Sequence, residues 1–122
     1  MIDHISLQVT SFSTALSFYT AALAPLGYVP QYVDEVAKSA GFGPAGDARL
    51  WIAEGAPAER VHLALRSPSR NAVGGFHAAA LRAGGRDNGQ PGLRPAYHAC
   101  YYAAFVFDPD GNNLEAVTHE AD

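Results

Sequence analysis

The stretch Phe107-Asp108-Pro109-Asp110-Gly111-Asn112-Asn113-Leu114-Glu115-Ala116-Val117 decides how the rest of this chain is read. Asp108 to Gly111 concentrates turn formers: proline sets its own φ, aspartate bonds back to nearby backbone, and glycine accepts a positive φ. Before the turn, Tyr101 to Phe107 is aromatic and apolar, which suits a strand. After it, Leu114 to Val117 resumes an extended pattern, so the unit predicts a hairpin. Period-2 geometry puts Glu115 and Val117 on one face, Leu114 and Ala116 on the other. A carboxylate so placed needs a partner or water, because burying an unpaired charge is costly.

Working outward, Ile2 to Val9 alternates, with His4, Ser6 and Gln8 on one face and Ile5, Leu7 and Val9 on the other. Thr10 to Ser13 offers helix caps. Apolar residues then recur at helical spacing from Ala15 to Leu23, and Pro25 and Gly27 end the helix, predicted near 13–25. Tyr28 to Val36 reads as a strand, Lys38 to Asp47 as turn and loop, Arg49 to Ala53 as a short strand, and Glu54 to Arg60 as a connector with Pro57. Val61 to Arg66 alternates again, placing His62, Ala64 and Arg66 on one face. A second helix is predicted near 71–83, ended by Gly84-Gly85; Arg86 to Pro95 reads as a polar loop and Ala96 to Phe107 as a strand region.

The two halves match at a constant offset of 58: His4 and His62, Leu7 and Leu65, Phe18 and Phe76, Leu23 and Leu81, Gly27 and Gly85. Each half reads strand, helix, then strands. The expectation is α+β, with curved sheets, helices outside, and polar strand faces pointing into a shared cup.

The chain has 122 residues, 48% of them hydrophobic, enough for one domain with a core. Its net charge is −4, with one lysine, Lys38, and seven arginines, which gives no basic face for nucleic acid. A single cysteine, Cys100, excludes an internal disulfide and fits a reducing compartment. No apolar run approaches the roughly 20 residues of a membrane span. The sequence opens on a strand pattern rather than a basic-then-apolar leader. A cytoplasmic protein without membrane or nucleic-acid partners is expected.

Two histidines and a glutamate on strand faces of a repeated unit suggest a divalent metal, since neutral imidazole and carboxylate are usual ligands for zinc, iron, manganese or nickel. Such a set leaves coordination positions open for water or substrate.

His4-Ile5-Ser6-Leu7-Gln8-Val9, Phe18-Tyr19 with Leu26-Gly27, His62-Leu63-Ala64-Leu65, and Asp108-Pro109-Asp110-Gly111 leading to Leu114-Glu115 together resemble the vicinal oxygen chelate superfamily. That superfamily includes glyoxalase I, fosfomycin-resistance proteins, extradiol dioxygenases and bleomycin-resistance proteins. The resemblance implies a single domain of paired βαβββ modules, about 1–57 and 58–122, with His4, His62 and Glu115 as metal ligands. It also implies a homodimer, with His4 of one chain joining His62 and Glu115 of the other. Glyoxalase I adds a carboxylate on the last strand of the first module. Here the cup position is Trp51 or Ile52, and neither binds metal; Glu54 falls one or two residues too late.

Other residues are candidates for lining the cup. One of the adjacent tyrosines Tyr101 and Tyr102 should face it; Tyr102 is a candidate proton donor and His98 a proton shuttle. Trp51, Tyr101, Arg66 and Arg94 are candidates for holding substrate, the arginines through a carboxylate. His77 and His119 are assigned to the surface and Cys100 to packing. Three functions remain open: a metal-dependent lyase, isomerase or ring-cleaving dioxygenase acting on vicinal oxygens; a metal-free binding protein of the bleomycin-resistance type; and a regulatory domain with an unused site.

Overall fold

The computed structural model describes residues 1–56 and 59–121. The expected module boundary at Pro57 and Ala58 lies outside the described residues. In order the elements are β1 (Ile5–Val9), α1 (Phe12–Leu23), a 3-10 turn (Ala24–Leu26), β2 (Val29–Asp34), β3 (Ser39–Gly43), β4 (Leu50–Glu54), β5 (His62–Arg66), α2 (Arg70–Arg82), β6 (Arg86–Leu93), β7 (Tyr102–Phe107) and β8 (Asn113–Thr118). They form two four-stranded sheets of the same plan, β1-β4-β3-β2 and β5-β8-β7-β6. In each, the first strand pairs parallel with the last, and the remaining pairs are antiparallel. The expected α+β fold of two repeated modules is present.

Both helices start where a serine caps them. Ser11 Oγ accepts from the Thr14 N–H at 3.4 Å, and Ser69 Oγ accepts from the Ala72 N–H at 3.1 Å. The apolar stripe of α1, Phe12, Ala15, Phe18, Tyr19, Ala22 and Leu23, is buried. It meets the helix-facing side chains of both sheets in one continuous core that includes Phe42, Ile52, Phe76, Val106 and Leu114. The two helices also pack on each other.

Two strands lie where loops were expected. β3 runs through Ser39–Gly43 and β6 through Arg86–Leu93. Glycine is a poor strand former in isolation, and here close packing requires it. A Cβ on Gly41 would come within 2.9 Å of the Trp51 indole, and one on Gly43 within 1.8 Å of the Asp47 carbonyl oxygen. β6 is an edge strand with register shifts around Gly89 and carries Pro91, which an edge tolerates.

The repeat holds into the helices and loosens before their ends. Phe18 and Phe76 are both fully buried, but Leu23 is fully buried while its counterpart Leu81 is 37% exposed. Two stitches join the modules: Tyr19 Oη donates to Asp108 Oδ2 at 2.5 Å, and Thr10 Oγ1 donates to Asp110 Oδ1 at 2.6 Å. Burial, then the Asp108 charge, pushes the Tyr19 phenol well above its ordinary pKa, so it remains the donor.

Candidate metal centre

The strand alternation read from the sequence places Leu7, Val9 and Leu65 inward and leaves Ser6, Gln8, His62, Ala64 and Arg66 on the open face. Glu115 shares that face on the central strand β8, opposite Ala64. The carboxylate is buried, 2% exposed, and both its oxygens are engaged. His62 Nε2–H donates to Oε1 at 2.9 Å, and the Tyr101 hydroxyl donates to Oε2. Burying a carboxylate without such partners would be costly. His62 is half exposed and lies 6.2 Å, ring centroid to ring centroid, from Phe105.

Tyr101 ends the loop between β6 and β7, closed by the Arg94 N–H donating to the Tyr101 carbonyl at 2.7 Å. Three rings surround its phenol: Tyr97 at 4.9 Å, His119 at 5.3 Å and His98 at 5.5 Å between centroids. Burial and Glu115 push its pKa up to about 12. It is therefore a hydrogen-bond donor throughout the neutral range.

Tyr102 points the other way. It packs against the core on the helix side, beneath the Arg70 guanidinium, 5.0 Å above its ring. The proton-donor role expected of Tyr102 is corrected accordingly: alternation sends one of two adjacent tyrosines to each face, and Tyr101 is the one that reaches Glu115.

The backbone sets the tautomer of His98. Its Nδ1 accepts from the Cys100 N–H at 3.1 Å, so Nε2 carries the hydrogen and donates to His119 Nδ1 at 2.7 Å. His119, one residue past the end of β8, was missed as a partner although it continues the parity of Glu115 and Val117. His77, expected at the surface, is buried at 5% exposure and donates from Nε2 to Asp87 Oδ1 at 2.8 Å, fastening α2 to β6. Arg94 is occupied at the irregular edge, donating to the Gln90 carbonyl at 2.8 Å and the Gly92 carbonyl at 3.0 Å, with its guanidinium over Phe105. Arg66 is exposed on the His62 face.

In the first module Trp51 lies opposite Ser6, as Glu115 lies opposite Ala64 in the second. Ser6 and Ala64 differ by 58, and Trp51 and Glu115 by 64. Trp51 is thus the structural counterpart of Glu115, six residues out of the original phase. Its ring covers Gly41 closely enough to exclude a Cβ there and lies 5.6 Å from the Tyr32 ring, making this wall aromatic. Glu54 is outside the cup: it accepts from the Phe12 N–H at 3.0 Å and from Lys38 Nζ at 3.2 Å.

His4 precedes β1 and is exposed, with Nδ1 2.8 Å from Asp3 Oδ1. It borders a cavity of about 130 Å³ between the modules, lined also by Tyr28, Arg49, Leu63 and Leu65. Among the described residues of one chain, no three His, Cys, Asp or Glu side chains form a metal-holding group. The spacing of His62 and Glu115 is compatible with two of the three expected ligands. Their donor atoms are 2.9 Å apart, and two atoms each bonded to an ion at about 2.0–2.2 Å are separated by roughly 3 Å. No described helix is long and apolar enough to cross a membrane.

Comparison with known proteins agrees with this architecture. The family model described as Glyoxalase/Bleomycin resistance protein/Dioxygenase superfamily matches residues 1–116. The crystal structure of a glyoxalase/bleomycin resistance protein from Albidiferax ferrireducens T118 is 26% identical with a TM-score of 0.78, over 93% of this chain and 94% of that one. A hypothetical protein from S. aureus is similar in fold at 21% identity and a TM-score of 0.67, over 94% of each chain. A mutant glyoxalase I from Zea mays shares the fold at 20% identity and a TM-score of 0.68, over 95% of this chain and 45% of that longer one. No curated protein matches.

Proposed function

Because the chain belongs to the glyoxalase/bleomycin resistance protein/dioxygenase superfamily, we propose that it is a divalent-metal-dependent enzyme acting on a small molecule with two neighbouring oxygens, as a lyase, an isomerase or a ring-cleaving dioxygenase. The observation that carries this reading is Glu115: a carboxylate 2% exposed, on an open strand face, with an imidazole nitrogen at 2.9 Å. His62 and Glu115 of one chain would hold the ion, with His4 supplied by a second copy in a homodimer. When bound, the ion supplies Lewis acidity toward the substrate's vicinal oxygens.

The chain's own residues have separable parts in this scheme. Glu115 provides the anionic donor, and Tyr101 holds it in place. Trp51, on the first-module sheet whose β1 follows His4, would border the ion from the second copy without coordinating it, leaving ion positions free for substrate and water. Arg66, exposed on the His62 face, would take a substrate carboxylate. The deciding experiment is metal analysis and zinc titration of the purified protein, with His4→Ala and His62→Ala beside it, and sedimentation at micromolar concentration. One bound ion per chain in a dimer, lost in either variant, supports the reading. A monomer without metal affinity rejects it.

A second reading, a metal-free small-molecule binder, is favoured by the aromatic wall of Trp51 and Tyr32, 5.6 Å apart. Quenching of Trp51 fluorescence by a planar ligand, undiminished by chelator, would select it.

A further inference from the structure

We propose that Tyr101 is a positioning residue for the metal-binding carboxylate, which it holds as a one-oxygen ligand; this rests on the reading of His62 and Glu115 as ion ligands. Glu115 has two acceptor oxygens and two donors, His62 Nε2–H on Oε1 and the Tyr101 hydroxyl on Oε2. An ion held by His62 and Glu115 displaces the hydrogen between them, so the imidazole ceases to be a donor to the carboxylate. Tyr101 is then the remaining side-chain donor to a carboxylate that is 2% exposed. With Oε2 engaged, Oε1 alone is free for the ion.

The phenol is placed for this by the rings around it. Its ring is walled by Tyr97, His98 and His119 at 4.9–5.5 Å between centroids. The wall is itself hydrogen-bonded: the Cys100 N–H donates to His98 Nδ1, and His98 donates to His119. Outer partners of this kind fix ligand orientation, and their removal typically weakens metal binding about 10–100-fold. Tyr101 reaches Glu115 from the residue just before β7, on the same parity as Phe105, which pairs with Glu115.

The test is zinc titration calorimetry on the full chain, wild type against Tyr101→Phe, with infrared spectra of the carboxylate stretches. The expected result is a dissociation constant raised about 10–100-fold and a carboxylate signature moved from one-oxygen toward two-oxygen coordination, with the thermal transition of the zinc-free protein retained. If Tyr101→Phe does not fold, His119→Ala, which leaves the phenol but opens its wall, should shift affinity and spectrum the same way. Zinc binding and carboxylate spectrum both unchanged in the variant overturn the positioning role while leaving the metal reading intact. Absence of zinc binding in the wild type overturns both.

Discussion

The two open sheet faces are built on one plan and carry opposite chemistry. In the second module the strand opposite Ala64 presents Glu115, with His62 beside it; in the first, the strand opposite Ser6 presents Trp51, beside Gly41 and Tyr32. A repeat maintains positions, not functions. The core side of each sheet must fill the same space under a helix, so apolar residues recur there. The open side is under no such constraint, and one module keeps a charge where the other has an indole.

Four measurements would break or sharpen this contrast. The largest effect should appear where the repeat fails inside the helices. Leu23→Ala should cost about 2–5 kcal/mol in denaturant unfolding, as a fully buried leucine does. Leu81→Ala, at 37% exposure, should cost under about 1 kcal/mol; equal losses would mean that both helices bury the same stripe.

On the open faces, Glu115→Gln should weaken zinc about a hundredfold or more, exceeding the range of outer partners. Trp51→Leu should leave zinc affinity near wild type. Comparable losses in a calorimetric titration would erase the functional asymmetry.

The matched glycines come next. Gly27 sits at φ +83° with open space around it, so Gly27→Ala should cost about 1–2 kcal/mol through backbone strain alone. Gly85 has no such φ, but its Cβ would lie 2.8 Å from Phe18 and 2.9 Å from the Ala80 carbonyl oxygen. Gly85→Ala should therefore cost about 1–3 kcal/mol by overpacking. Thermal unfolding separates the two if a φ-tolerant Gly27→Asn is less damaging than Gly27→Ala.

The smallest effect concerns pH. The His77 hydrogen bond, then the Gly89 N–H, holds the Asp87 carboxyl below its ordinary value. A depressed carboxyl pKa contributes stability above its unfolded value of about 3.9, lost as pH falls through the folded value. Acid titration of unfolding should show a slightly steeper loss below about pH 4 in the wild type than in Asp87→Asn; parallel curves would show that the pair does not contribute.

Much of this was legible from alternation. Parity put His62 on the polar face and Glu115 opposite Leu114 and Ala116, but left Trp51 and Ile52 both open as the cup position of the first module. It failed where the signal is composition rather than period: β3 reads Ser-Ala-Gly-Phe-Gly and β6 contains two glycines and a proline, both loop-like until their neighbours are known. Tyr101 and Tyr102 could not be told apart, because alternation says that two adjacent residues oppose each other but not which begins the strand. His77 looked like a surface residue because its partner Asp87 lies on the following strand, a contact that helix periodicity does not encode.

The stitch between Tyr19 and Asp108 has a consequence for how this chain can be divided. Asp108 is 2% exposed and also accepts from the Asn112 N–H at 2.7 Å, the Asp110 N–H at 3.0 Å and Asn112 Nδ2 at 2.9 Å. It organises the turn from which the Glu115 strand departs, and one of its donors comes from the helix of the other module. A fragment carrying only the second half would expose that carboxylate to solvent and bare the surface now covered by α1. The halves share a plan but not independence: cut apart, neither keeps a finished interior, because both helices and both sheets fill one core.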